Sequence, residues 1–299
     1  MSTSFPLLQY TSLVGTKALL LIFTALYLPR SSSWFGIRLD SQKSSLDRPQ
    51  LPFLVPLTAN PTATGLWISL GCALIIMWWA GWTRLWWSLE KKTAISDSST
   101  RVRAKLYAIR NAWVFTLVGS LIYYIVLLAF GAPVSYFSTT ASFALLLSIL
   151  TVYAPAYTLP IPYFELFGFR STENQPMNAA SASTAGLLDR LTWTRLFSQV
   201  QPTTLVERAI VYPVMGTLVG SWVGAIPLAL DWDRPWQAWP LIPVYGAIVG
   251  HVVGSGCAVA RATLEALAQE GLREEVSSHQ ALGKPVKAKR PKDKRVKKA

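Results

Sequence analysis

The sequence predicts an all-α integral membrane protein of about six transmembrane helices, with a glycine-faced C-terminal helical hairpin and a disordered basic C-terminal tail. Three observations carry this reading. The chain is 52% hydrophobic and only 14% charged, where a soluble domain is about one-quarter charged, and its mean hydropathy is +0.34. Six windows are long and apolar enough to cross a hydrocarbon core of about 30 Å, which takes roughly 20 helical residues. Finally, the net charge of +13 is concentrated at one end: nine Lys and Arg side chains follow residue 283, against the single acid Asp293. This distribution argues against a soluble enzyme and describes a membrane domain over 1–260 followed by a cytoplasmic basic tail over 261–299.

The windows fall at about 11–28, 65–87, 112–131, 138–159, 209–230 and 238–260. The first has no basic segment before it and no small-residue cleavage site, so it reads as a retained span. Its Lys17 lies near enough to the start to snorkel toward the interface. The second ends in Trp78, Trp79, Trp82, Trp86 and Trp87, the pattern of an interfacial aromatic belt. Lys and Arg crowd the connection between the second and third spans and are absent between the third and fourth. With the basic tail, that asymmetry places both termini in the cytoplasm. The 29–64 connection, with Arg30, Arg38, Lys43 and Arg48, fits this orientation least well.

Residues 93–100 and 171–186 are rich in Ser, Thr, Asn and Ala and read as linkers. After the second, Leu187, Leu188, Leu191, Leu196 and Phe197 recur at helical spacing, as in an amphipathic helix lying on the membrane surface.

The last two spans differ from the first four. Gly216, Gly220 and Gly224 recur every fourth residue in the fifth, and Gly246, Gly250 and Gly254 do so in the sixth, followed by Ser255 and Gly256. Residues four apart share a helix face, so each span presents a strip without side chains. Such strips let backbones approach closely in lipid, where apolar burial cannot drive helix association. They describe either a tight hairpin or a groove that another protein's helix fills. Between them lies a turn holding Asp231, Trp232, Asp233, Arg234, Pro235, Trp236, Gln237 and Trp239. A structural reading pairs Arg234 with an aspartate, lets Pro235 begin the next helix and seats the turn on its tryptophans. A functional reading has the turn dock a partner, or hold a lipid glycan through an arginine fork and stacked indoles.

Four further ionisable groups stand in or beside apolar segments. His251 is near the middle of the sixth span, where a polar residue is a functional candidate by default; a lone histidine also serves as an interhelical hydrogen-bonding group. Glu207 and Arg208 open the fifth span as a candidate interfacial ion pair, and Glu165 also reads as interfacial. For chemistry the inventory is poor. Metal-assisted phosphoryl transfer needs several carboxylate or histidine ligands, but the connections assigned to the lumen offer Asp40, Asp47, Asp231 and Asp233 and no histidine. No HExxH, GxSxG or phosphate-cradling glycine loop is present. Asp231-Trp232-Asp233 resembles an acid pair, but the arginine beside it and the absence of other ligands argue against a metal site, and the two cysteines, Cys72 and Cys257, lie in apolar stretches. No catalytic residue, metal or cofactor is therefore expected. The tail lacks the aromatic interleaving of a nucleic-acid groove, so no nucleic-acid partner is expected either.

The stretch from Glu207 to Gly254, containing YPVMGTLVGSWVGAIPLALDWDRPWQAWP and then Gly246, Gly250 and Gly254, resembles the PIG-F family of glycosylphosphatidylinositol (GPI)-anchor biosynthesis proteins in its fungal form. One departure is Ala229, where the family pattern has proline. The resemblance implies a multi-pass protein of the endoplasmic reticulum membrane, active in adding ethanolamine phosphate to mannose of the GPI precursor. It implies a noncatalytic subunit that binds and stabilises a large transferase of PIG-O or PIG-G type, with membrane lipid, including the GPI precursor, as a further contact. The terminal Arg295-Val296-Lys297-Lys298-Ala299 loosely resembles a dilysine retrieval signal. Two alternatives stay open from sequence: the chain catalyses the transfer itself, or it moves GPI lipid across the membrane.

Overall fold

A computed structural model of the protein describes residues 7–35, 51–91, 98–160, 179–230, 232 and 234–282. The described residues form helices and turns and no strand, and six helical segments are long and apolar enough to cross a membrane. The helices are α1 (Leu7–Tyr27), α2 (Pro61–Glu90), α3 (Ser98–Ala129), α4 (the span Val134–Thr158), α5 (Ala179–Trp193), α6 (Leu205–Ala225) and α7 (Leu241–Leu282). The chain divides into two units, Met1–Val259 and Ala260–Ala299.

Local chemistry sets several boundaries. Asn60 caps α2, its side chain accepting from the Ala63 N–H, and Pro61 occupies the first turn, where a missing donor costs nothing. Thr204 and Glu207 form a reciprocal capping box at the start of α6. Helix α3 begins at Ser98 and α5 at Ala179. Parts of both expected linkers are therefore helical, because Ala179, Ala180, Ala182 and Ala185 give the second of them high helix propensity; residues 92–97 and 161–178 lie outside the described residues. Helix α7 runs through the expected start of the tail to Leu282, carried by the alanines and leucines beyond Arg261 and by an i,i+4 ion pair between Arg261 and Glu265 at 3.0 Å. The residues of the expected amphipathic segment fall in α5 and the π turn Thr194–Ser198. There Leu187, Leu188 and Leu191 are exposed while Leu196 is buried.

Span α4 is the centre of the bundle, packed against α2, α3 and α6. It is built from the helix Phe137–Ser148, one π turn over Ile149–Tyr153 and the helix Ala154–Thr158. Its contacts are stitched by hydroxyls. Thr62 meets Thr139 at 2.8 Å, Thr83 meets Thr158 at 2.8 Å, and Tyr123 meets Thr151 at 2.9 Å. Ser148 donates to the Thr116 carbonyl at 2.6 Å, and Arg84 of α2 donates to the Tyr157 carbonyl at 2.7 Å. Helix α1 packs on α2, where Tyr10 sits edge-on to Trp86 with centroids 5.7 Å apart. By contrast α3 leaves Leu117, Leu121, Ile122 and Ile125 exposed, as a lipid-facing helix does.

Candidate functional site

Helices α6 and α7 meet backbone to backbone. A Cβ built on Gly216 would fall under 3.0 Å from the Gly250 carbonyl oxygen, and one on Gly250 would meet the Gly216 carbonyl in return. Gly220 and Gly246 form a second reciprocal pair. At the two ends, Gly224 lies against Ile242 and Pro243, and Gly254 against Tyr212 and Pro213. Each position thus faces main-chain atoms, where no flexible side chain can swing away to make room. The two strips occupy one another over their whole length, which leaves neither open to an outside helix. Gly256, next in the sequence pattern, has nothing within 4 Å of its Cβ position and takes no part in the seam.

The connection between α6 and α7 is closed by one side chain. The Gln237 carboxamide donates from Nε2 to the Pro227 and Leu230 carbonyls, both at 2.8 Å, and its Oε1 accepts from the Arg234 N–H at 2.9 Å. Trp239 donates to Thr140 of α4 at 3.0 Å and stands edge-on to Phe143, which ties the turn to the central span. Trp232 and Trp236 pack edge to face at 5.6 Å, and Trp232 and Arg234 remain exposed. Pro235 opens a short 3₁₀ turn, Pro235–Gln237, and does not begin the next helix, which starts at Leu241 once Pro240 has removed a donor. Asp231 and Asp233 lie outside the described residues, so the expected pairing with Arg234 does too.

Within the membrane-spanning segments the structure revises two expectations. Lys17 does not snorkel. It is fully buried, its ammonium 2.8 Å from Ser255 Oγ of α7 and 4.1 Å from the centroid of the Trp79 ring of α2. A polar acceptor and an aromatic face inside the bundle offer it an alternative to the interface. Glu207 does not pair with Arg208. Its carboxylate takes a two-pronged contact from Arg195, with Arg195 Nη1 at 2.9 Å, and accepts from the Thr203 and Thr204 N–H groups at 2.7 and 3.2 Å. The chain reverses between α5 and α6 and brings the Arg195 fork, which suits a carboxylate bidentately, to the helix start. Arg208 donates to the Thr203 carbonyl at 2.9 Å. Hydrogen bonding to Glu207 holds the Arg195 guanidinium above its ordinary value. His251, 3% exposed, bonds through Nδ1 to Thr217 of α6 at 3.0 Å. Glu165, Asp40, Asp47 and the terminal Arg-Val-Lys-Lys lie outside the described residues. Among the described residues no group of three or more His, Cys, Asp and Glu side chains is placed to hold a metal ion.

Sequence reasoning sent Lys17 to the interface and gave Arg195 and Ser255 no role in a site; the bonds that Gln237 makes run within the turn. A signal for Lys17 was present: it is the one basic side chain in the apolar run of α1. Nothing in sequence announces that Arg195 reaches Glu207, because the pairing depends on how the intervening loop folds back.

The family model described as GPI biosynthesis protein family Pig-F matches residues 5–259. Among curated proteins, the chain is 35% identical over 137 residues to a PIGF/3-ketodihydrosphingosine reductase fusion protein of Schizosaccharomyces pombe, covering 45% of this chain and 22% of that one. It is 42% identical over 62 residues to the GPI ethanolamine phosphate transferase, stabilizing subunit, of Homo sapiens, covering 21% and 28%. It is 43% identical over 68 residues to glycosylphosphatidylinositol anchor biosynthesis protein 11 of Yarrowia lipolytica, covering 23% and 29%. The aligned part is thus under a third of the length of each of these relatives. No solved structure matches. By the span of the family match, which takes in every candidate membrane helix from Leu7 to the seam glycines of α7, the chain belongs to the GPI biosynthesis protein family Pig-F.

Proposed function

We propose that the chain is a noncatalytic subunit of the endoplasmic reticulum membrane that binds and stabilises the transferase adding ethanolamine phosphate to mannose of the GPI precursor. The observation that carries this reading is the family match over residues 5–259, joined to a relative named as the stabilizing subunit of such a transferase. The partner is a large enzyme of PIG-O or PIG-G type, and GPI precursor or other membrane lipid is the further contact. Both termini face the cytoplasm, with residues 1–260 as the membrane domain and 261–299 as the basic tail. The exposed leucines of α5 rest on the membrane surface. The α6–α7 turn then faces the lumen.

In this reading Gly216, Gly220, Gly224, Gly246, Gly250 and Gly254 act as helix-packing residues that make a rigid platform. Asp231, Trp232, Asp233, Arg234, Pro235, Trp236, Gln237 and Trp239 form the turn it presents, and Glu207, Arg208 and His251 belong to its polar support. Since the glycine strips are filled by each other, the partner is met by the exposed Trp232 and Arg234 at the turn. Aromatic and arginine side chains are the residue types that dominate binding at interfaces.

The test is a pull-down of the tagged chain from solubilised membranes, with ethanolamine-phosphate transfer assayed with and without the captured partner. Activity is expected only when the large partner is present. The variant Trp232→Ala/Arg234→Ala should keep normal protein levels and lose at least about tenfold in recovered transferase, the scale of a hot-spot truncation. Transfer by the purified chain alone would overturn the reading.

A further inference from the structure

Four spans converge on one buried polar point: Lys17 comes from α1, Trp79 from α2, Thr217 from α6, and His251 and Ser255 from α7. His251 and Ser255 are four residues apart and share a face of α7. Counting protons assigns every role. The Ser255 hydroxyl donates its one proton to the His251 carbonyl at 2.7 Å, so toward Lys17 it can only accept. The Thr217 hydroxyl donates to the Pro213 carbonyl at 2.7 Å, so toward His251 it too can only accept. The imidazole therefore carries its proton on Nδ1. Its Nε2 is left as a bare lone pair, fully buried and without a partner among the described residues.

Lys17 has the complementary surplus. An ammonium offers three donors, of which the Ser255 oxygen takes one and the Trp79 face satisfies another direction. The Lys17 charge acts on the His251 ring, yet the two side chains share no direct hydrogen bond. An unspent donor on Lys17, which is bonded to Ser255, and an unspent acceptor on His251, one turn before Ser255 on the same face of α7, each carry a desolvation cost in a low-dielectric interior that a bridging group removes. The bridge must accept from an ammonium and donate to an imidazole. It must also fit where Lys17, His251 and Ser255 are 0%, 3% and 1% exposed.

We propose that Lys17 Nζ and His251 Nε2 together bind one internal water molecule, and that this hydrated joint holds α1 against α7. A second bond between these helices is weaker in kind, a neutral Tyr245 hydroxyl on the Ala25 carbonyl at 3.1 Å. A buried water with two to four polar partners is an ordinary structural component; here it sits inside the membrane-spanning region and completes the seat of the first span. The joint involves this chain alone and stands whether or not a transferase binds.

The experiment is solid-state NMR on the full chain in phospholipid nanodiscs with ¹⁵N-labelled histidine, reading the ring tautomer and the magnetisation transferred from water. The chain has two histidines, and His251→Gln identifies the signal of interest. The expected result is a neutral His251 ring protonated at Nδ1, with clear transfer from a bound water to the ring. In Lys17→Met that transfer should fall several-fold, while the Nδ1 tautomer persists because Thr217 is untouched. A ring protonated at Nε2, an absence of water transfer in the unaltered chain, or unchanged transfer in a folded Lys17→Met would each overturn the proposal. If Lys17→Met does not fold, the tautomer and water transfer of the unaltered chain decide by themselves.

Discussion

The seam between α6 and α7 and the bundle around α4 solve the same problem by opposite means. Both must hold helices together in lipid, where burying apolar surface gives no advantage over staying exposed to acyl chains. The seam removes side chains, so that Gly216 and Gly220 lie directly on Gly250 and Gly246. The α4 bundle keeps its side chains and links them through hydroxyls, with Thr62–Thr139, Thr83–Thr158 and Tyr123–Thr151 spread along the span. The difference is one of tolerance. A backbone-on-backbone contact has no rotamer to relax, so one added methyl displaces the whole helix. A ladder of hydroxyl bonds divides its stabilisation among many weak contributions.

The largest predicted effect breaks the seam. Gly250→Leu should cost at least about 3 kcal/mol, the upper end for overpacking, because the obstruction is the Gly216 main chain. Gly256→Leu, six residues further along the same helix, meets nothing within 4 Å and should change stability by less than about 1 kcal/mol. Thermal unfolding of the two variants in one detergent measures the contrast. Equal midpoints would mean that the seam is looser than its geometry and that the two regions do not differ as argued.

How much of this was legible in sequence follows the same division. The glycine periodicity displayed two strips without side chains, but only the folded arrangement shows that they meet each other and not an outside helix. The six-helix fold class was plain from the apolar windows. The hydroxyl ladder was not legible, because Ser and Thr are common in membrane helices and only the folded arrangement reveals that Thr83 faces Thr158. Lys17 was visible but misread, for an amino group near a helix start obeys the snorkelling rule unless a remote element supplies Ser255 and Trp79. In the turn, the composition of residues 231–239 was conspicuous in sequence, whereas the work of Gln237 depends on three backbone groups that no linear pattern shows.

That turn supplies the intermediate prediction, because it joins the two halves of the seam. Gln237→Ala removes the side-chain acceptor of the Arg234 N–H and the side-chain donor to the Pro227 and Leu230 carbonyls, which keep only their backbone bonds from the Leu230 and Trp232 N–H groups. The turn is partly exposed and water replaces some of the loss, so the cost should be about 1–2 kcal/mol. Limited proteolysis is expected to cut between Leu230 and Trp239 several-fold faster in the variant, while the glycine contacts persist. Unchanged cleavage would show that the seam and Trp239 alone fix the turn. Gln237→Glu sharpens the result: it keeps an acceptor for the Arg234 N–H but has no donor for the two carbonyls, and should resemble the alanine variant.

The smallest effect belongs to the ladder. Thr83 and Thr158 share a hydroxyl contact at 2.8 Å, and Thr83 has a second acceptor in the Ala80 carbonyl of its own helix at 3.0 Å. Removing the cross-helix bond by Thr83→Val preserves shape and leaves the Thr158 hydroxyl to turn toward its own helix. Interhelical hydrogen bonds in membrane proteins average about 0.6 kcal/mol in double-mutant cycles, with a maximum of about 1.7 kcal/mol. A cycle of Thr83→Val and Thr158→Val should therefore give a coupling of about 0.6 kcal/mol, several-fold below the cost of Gly250→Leu. A coupling above about 2 kcal/mol would show that this one bond dominates the α2–α4 contact. The bundle would then resemble the seam in hanging on single positions, and the tolerance argued for it would be lost.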